Sequence, residues 1–180
     1  MLRGVSPLIW RRLLVPATTT IADLHAVLPA AFGWADEHLH RFVIHGREYG
    51  ISYPGGVGFR DNPRRVSLAG FGLRAGERFV YDYDFIDGWR HDIRVEQLVP
   101  PEPGRSYPVC TGGRRAGPPE DAAARGRSWT CVSATACRSS PPAPPTCSGN
   151  SSTPPMMSMA TTPSTGSPPV GASSPSCSGG

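Results

Sequence analysis

Four aspartates crowd one short stretch of this chain: Asp82, Asp84, Asp87 and Asp92, with His91 among them. Two carboxylates on one strand face can divide the work of a general acid and a general base. Asp82 and Asp84 are two residues apart, so on a strand they share a face, opposite Phe79, Tyr81 and Tyr83. The same spacing suits a plainer role, the polar outer face of a half-buried hairpin that pairs across the strands with Arg90 and Arg94. The plainer role is preferred. A metal reading draws on His91, Cys110, Glu120 and Asp121, with His38 and His40 projecting from one strand face. Zinc takes four nitrogen or sulfur ligands, usually supplied in close pairs. The sequence has no Cys-x-x-Cys pair and no pair of histidines three residues apart. Strand histidines and a buried thiol are the simpler account, so no metal and no cofactor is expected.

A third chemistry is recognition. Tyr81, Tyr83, Phe85 and Trp89 load one hairpin with aromatics, and aromatics with arginine dominate binding hot spots. They are also what a small core is made of. The stretch from Cys110 to Asp121 is rich in Gly, Pro and Arg, and such loops carry function when a rigid scaffold holds them. The candidate binding residues are therefore Tyr81, Tyr83, Asp87, Trp89, His91, Cys110, Arg115, Glu120 and Asp121; catalytic residues are not assigned.

The elements that must position these residues follow from periodicity. Ile9 to Val15 reads as a strand ended by Pro16. Thr20 offers an N-cap, with Asp23 as the reciprocal acid of a capping box. Ile21, Leu24, Leu28 and Phe32 recur at helical spacing, so the helix runs over 21–32 and Gly33 closes it. Residues 38–44 alternate as a strand, and Tyr49 to Tyr53 are expected to return beside it. Arg78 to Phe85 and Trp89 to Gln97 form a hairpin through Asp87-Gly88. The expected core includes Trp10, Leu24, Leu28, Phe32, Val43, Tyr81, Trp89 and Ile93. This is an α+β class: a small single domain, one main helix on a mostly antiparallel sheet, in an order like a β-grasp.

Composition divides the chain. It has 180 residues, with 21 Gly and 21 Pro, and every one of its 18 basic residues is arginine. The formal charge is +4, and the last acidic residue is Asp121. Beyond it Ser, Thr, Pro and Gly dominate, and such a chain buries too little apolar surface to offset its ordering entropy. Residues 122–180 are therefore expected as a disordered tail with no core and no disulfide network among Cys131, Cys137, Cys147 and Cys177. The arginine pairs Arg11-Arg12, Arg64-Arg65 and Arg114-Arg115 are scattered among acids, which does not suit a nucleic-acid face. No run reaches the roughly 18–20 apolar residues of a membrane helix, so a cytoplasmic protein with no membrane partner is expected.

Four stretches resemble one family: LRGVSPLIWRRLLVP, TTTIADLHAVLPAAFGWADEHLHRFVI, GERFVYDYDFIDGWRHDI and YPVCTGGRRAGPPED. They resemble the plasmid pRi Orf-three-like family, whose members are often labelled insertion-element passenger or TnpR-like proteins. The resemblance covers about residues 2–121 and implies a small α+β domain without implying a reaction. Family members carry several more β-forming residues ahead of the Leu-Arg-Gly run. They usually have glycine at the position of Ile86, and often cysteine at that of Gly117. If the first position needs positive φ, Ile86 is strained. The label suggests a serine recombinase, but Ser6, Ser52 and Ser67 sit in no arginine constellation, and no helix-turn-helix is evident.

The resemblance also bears on the tail. Family members continue the Pro-Pro-Glu-Asp run with a Cys-Gly-Gly-Pro-Trp type segment. GC-rich codons for residues 122–129, regrouped from the second base, read Gly-Gly-Pro-Trp-Ala-Phe-Leu. Residues 156–162, regrouped alike, turn acidic. The hypothesis is a single lost base near the codon after Asp121, so that the tail is read out of frame. The leading function is a non-catalytic binding module of a mobile element, its partner a protein or nucleic acid of that element. The alternative is a metal-dependent or acid–base hydrolytic enzyme built on the Asp/His hairpin and the loop from Cys110 to Asp121.

Overall fold

A computed structural model describes residues 2–122 and 155–160. The element order is β1 (Trp10–Pro16), α1 (Ile21–Phe32), β2 (His40–Ile44), β3 (Arg47–Tyr49), a 3-10 turn (Leu68–Phe71), β4 (Arg78–Tyr83), β5 (Trp89–Val99), β6 (Val109–Arg114) and β7 (Met156–Ala160). The strands form one seven-stranded sheet in the order β3-β2-β4-β5-β7-β1-β6, and the paired neighbours run antiparallel.

Helix α1 starts where its capping box puts it. Thr20 Oγ1 accepts the Asp23 N–H at 3.2 Å, and the Asp23 carboxylate accepts the Thr20 N–H at 3.4 Å. Gly33 ends the helix in the left-handed region at φ 79°, where a Cβ is costly. The helix lays Ile21, Leu24, Leu28 and Phe32 on one face of the sheet. There they join Leu13 and Val15 of β1, Phe42 and Ile44 of β2, Phe79 and Tyr81 of β4, Ile93 and Val95 of β5, and Met157 and Met159 of β7 in one core.

The β4–β5 hairpin forms as its turn chemistry dictates, pairing Tyr83 with Trp89 and Phe79 with Ile93. Asp82 takes the plainer role. It meets Arg41 at 2.9 Å and Arg90 at 3.7 Å on the outer face.

Several expectations need correction. Trp10 and Val43 are only half-buried, because β1 and β2 present their other phase to the core: Arg11, Leu13 and Val15, and His40, Phe42 and Ile44. An arginine holds an inward position on β1 because it finds acceptors there. Arg11 Nε donates to the Ala31 carbonyl at 2.8 Å, and the guanidinium lies 5.0 Å from the Phe32 ring centre. The return strand beside β2 is Arg47–Tyr49, earlier and shorter than residues 49–53. In the hairpin turn, Asp84 and Gly88 take positive φ, 51° and 72°, so Ile86 is not the strained residue.

The largest correction concerns the region after residue 123, read as contributing nothing to the core. Met156–Ala160 is a strand in the middle of the sheet, buried along its whole length. Composition averaged over the tail hides this five-residue apolar run. The four cysteines of that tail lie outside the described residues.

Candidate functional site

The end of α1 and the starts of β2 and β5 bring together a polar cluster inside an aromatic shell. His25, on the buried face of α1, presents Nδ1 to the Tyr81 hydroxyl at 2.8 Å. Its Nε2 lies 2.8 Å from an Asp36 carboxylate oxygen. The contact to Asp36 is close but not aligned as a hydrogen bond, so Nε2 is a buried ring nitrogen without a hydrogen-bond partner. The His40 ring stacks on His25 with centroids 3.3 Å apart. His40 Nε2 accepts the Ile51 N–H at 3.3 Å, which puts its proton on Nδ1, a buried atom with no hydrogen-bond partner. His91 is fully buried and neither of its ring nitrogens is hydrogen-bonded. The edges of Phe32 and Trp34 meet it instead.

Burial fixes the charge of these rings. It lowers the His25 pKa to about 4 and the His91 pKa to about 3. Burial, then the neighbouring His25, takes His40 to about 3. All three are neutral near pH 7, so a cation is not stacked on a cation.

Above them lies a second layer. The Tyr83 hydroxyl donates to the Glu120 carboxylate in a short hydrogen bond, and the Ala35 N–H donates to the same carboxylate at 2.6 Å. Burial raises the Glu120 pKa, but the bonds from Tyr83, Ala35 and Glu37 outweigh it and leave the group below its ordinary value. Asp36 moves up through burial and then the Glu120 charge. Trp89 Nε1 donates to the Glu120 carbonyl at 2.7 Å, and Trp34 Nε1 to the Pro118 carbonyl at 2.8 Å. Two indoles and a phenol thus staple residues 118–120 across the sheet end. His38, at the rim, lies 3.3 Å from Asp121 and 3.7 Å from Asp84.

Of the residues singled out from sequence, Tyr81, Tyr83, Trp89, Glu120 and Asp121 come together here, with His91 sealed beneath. Asp87 stands in the hairpin turn, its N–H donating to the Asp84 carboxylate at 3.2 Å. Cys110 and Arg115 belong to another region. Cys110 is on β6, opposite Leu13 of β1, and the Arg115 guanidinium donates to the Leu8 carbonyl at 2.9 Å. His25, Trp34 and Asp36 escaped the sequence reading. His25 sits one position from Leu24 and passes for a surface residue unless the apolar stripe is drawn wide. Asp36 carries positive φ, 67°, which its sequence does not announce. Among the described residues, no group of three or more His, Cys, Asp or Glu side chains is arranged to hold a metal ion.

The turn beside the cluster is held by hydrogen bonds to Asp84 and is apolar at its tip. The Asp84 carboxylate accepts the N–H of Ile86 at 3.0 Å as well as that of Asp87, and the Gly88 N–H donates to the Asp84 carbonyl at 2.6 Å. Ile86 is 95% exposed and Phe85 41%. The Arg41 guanidinium lies 5.6 Å from the Phe85 ring centre. Leu39 and Tyr53, both exposed, converge over Gly56 nearby, and the Leu39 carbonyl accepts the Asp84 N–H at 2.9 Å.

Comparison with known proteins gives a family and relatives whose descriptions name no reaction. Residues 1–134 match the family model described as plasmid pRiA4b ORF-3-like protein. An uncharacterised protein, y4hQ, of Sinorhizobium fredii is 39% identical over 121 residues, which are 65% of this chain and 60% of that protein. The chain thus spans about three-fifths of the length of this curated relative. A crystal structure of a protein of unknown function from Methanosarcina mazei Go1 is similar with a TM-score of 0.58 and 33% identity, covering 68% of this chain and 70% of that one. Among the described residues, no helix is long and apolar enough to cross a membrane.

Proposed function

The chain belongs to the plasmid pRiA4b ORF-3-like family, and from that premise we propose that it is a non-catalytic binding module that engages a protein partner encoded with mobile DNA. The observation that carries this reading is the hairpin tip. A β-branched side chain, Ile86, stands almost wholly in water on a turn that three hydrogen bonds hold still. A rigid apolar anchor loses little entropy on docking, and beside it Phe85 is partly exposed with Arg41 over its ring, residue types that dominate binding hot spots. The buried histidines support the same reading, since their lowered pKa values keep them neutral and their rings are shut inside the fold.

A protein is favoured over nucleic acid because the arginine over the hairpin tip, Arg41, and several elsewhere are paired with acids of this chain. Arg12 pairs with Glu96, Arg41 with Asp82 and Glu48, Arg47 with Asp61, and Arg3 with Asp92. Arg11 is buried. The test is capture of a partner by the full chain and by Ile86→Asp. Loss of capture in the variant, with binding insensitive to salt, supports the reading. Equal capture by both, or affinity falling steeply with salt as phosphate contacts require, sinks it.

The hydrolytic alternative keeps one observation of its own: His38 stands between Asp84 and Asp121 at the rim, where a base could meet a solute. Turnover of an ester or phosphoester that is lost in His38→Ala would favour it. A cytoplasmic location and the lost base belong to the proposal too. Sequencing the gene tests the last. A restored frame would place acidic residues at 156–160, and a lane buried on both faces does not accept them unpaired.

A further inference from the structure

On the sheet face turned away from α1, the acids of β4 and β5 are each claimed by an arginine. Burial alternates along β5, so Arg90, Asp92, Arg94 and Glu96 stand outward between the buried Trp89, His91, Ile93 and Val95. The register puts Asp82, Val80 and Arg78 of β4 opposite Arg90, Asp92 and Arg94. Asp82 is held by Arg41 at 2.9 Å and by Arg90 at 3.7 Å. Asp92 is held by Arg3 at 2.6 Å, and Glu96 by two nitrogens of Arg12, at 2.7 and 3.1 Å. Arg78 and Arg94 are left over.

These two stand directly across the ladder from each other. Side chains so placed have Cβ atoms roughly 4.5–5.5 Å apart, and like charges there destabilise the sheet. The two acids that flank Arg94 along β5, Asp92 and Glu96, are committed to Arg3 and Arg12. On its other side Arg94 faces Ala160 of β7, which offers only a methyl. Among the described residues, neither Arg78 nor Arg94 makes an ion pair. The Arg94 Nε is also shut from solvent with no hydrogen-bond partner. A buried donor left unpaired costs more than a typical bond returns. No side chain further along can answer it, since the last acidic residue of the chain is Asp121.

We propose that Arg78 and Arg94 form a binding site for a phosphoryl dianion, either inorganic phosphate or a phosphate monoester. Charge selects the class. Two fixed positive charges call for two negative ones on one centre, and a phosphate monoester carries about −1.5 to −2 near pH 7 with three acceptor oxygens. A carboxylate brings one charge, and a nucleic-acid backbone spreads its charges one to a phosphate. Guanidinium forks take phosphate oxygens in pairs, so each arginine can hold one edge of the tetrahedron. Val80 and Ala160 beside them carry no acceptor side chain that would compete. Arg78 opens β4, whereas the hairpin tip follows its end, so this site and the docking tip do not rest on one another.

The test titrates the full chain calorimetrically with inorganic phosphate, the ionic strength being held constant with chloride. The expected result is saturable binding. Arg78→Gln and Arg94→Gln should each weaken it roughly ten- to a hundredfold, as the loss of a hydrogen bond to a charged group does. Arg105→Gln, whose partner is Glu102, should leave it unchanged. A short peptide with one phosphoserine separates the sources: tighter binding than inorganic phosphate assigns the site to a phosphorylated chain, weaker binding to the free anion. In phosphate-free buffer neither Gln variant at positions 78 and 94 should melt below the natural chain, because each removes a like-charge contact. Added phosphate should raise the melting temperature of the natural chain more than that of either variant. Absence of saturable binding overturns the proposal. So does equal affinity in the natural chain and these two variants, or a lower melting temperature of either without phosphate, which would mean that its arginine already has a partner inside the fold.

Discussion

Strands β2, β4 and β5 and strands β7, β1 and β6 share one sheet but are held by different means. The first group is built from neighbours in sequence. Its inward positions carry Phe42, Tyr81, Tyr83, Trp89 and Ile93, with His40 stacked on His25 of α1 and His91 packed beside Tyr81. The second group is gathered from three distant stretches, with methionines at its centre and an inward arginine, Arg11, among its core positions. The difference teaches where specificity is written. Rigid aromatics with satisfied hydroxyls fix one arrangement, whereas flexible thioethers fill whatever space is offered.

The largest expected effect comes from acid, and it should strike the aromatic half. His25, His40 and His91 have folded pKa values of about 4, 3 and 3. Their unfolded values are ordinary, about 6.5. Depressed values mean that the unfolded state takes up protons first, so stability is fully present above about pH 6.5 and is lost as pH falls toward 4. Each ring contributes about 1.4 kcal/mol per pH unit in that window. The three losses run in the same direction, and those of His25 and His40 are coupled through their stacked rings. Urea titrations at several pH values should show this slope, and His91→Phe should flatten it by about a third. A stability independent of pH between 6.5 and 4 would mean that the rings are not sealed as described.

Truncation separates the halves next. Trp89→Ala should cost about 3–5 kcal/mol, the range for a fully buried aromatic. Met157→Ala should fall at or below about 2 kcal/mol, the bottom of the range for core methionines, since its flexible methionine neighbours can readjust into the space. Equal losses would erase the contrast. A more local effect sharpens it within the aromatic half. Tyr83→Phe removes the bond to Glu120 and should cost about 1.5–3 kcal/mol, as for other hydrogen bonds to charged groups. Hydrogen exchange should quicken at residues 118–121 and stay unchanged at Tyr81.

The aromatic half was also the half legible in the sequence. Alternation over residues 78–97, the Asp87-Gly88 turn and the Thr20/Asp23 box each have a local cause, and each formed near its expected place. The phase of β1 and β2 was not legible, because Trp10 and Val43 are as apolar as their neighbours and only the distant Ala31 carbonyl explains Arg11 inside. Of the site, Tyr81, Tyr83, Trp89 and Glu120 could be named from residue type. His25 and Asp36 could not, since what joins them is the packing of a helix over a sheet. Strand β7 carries a local sign, the short apolar run Met156–Ala160, but composition averaged over the tail hides it, and only β1 and β5 on either side make it a central strand.

The central place of β7 has a consequence for how the protein is made. β5 is complete at Val99, but its neighbour follows only at Met156–Ala160. A ribosome adding about 5–20 residues per second needs roughly 3–12 s to cover that interval. Throughout it, β1 and β5 leave the tunnel with open edges facing each other, and an open edge is a template for pairing with any passing chain. Synthesis speed and chaperone supply, rather than the stability of the finished sheet, would then set the yield of native molecules.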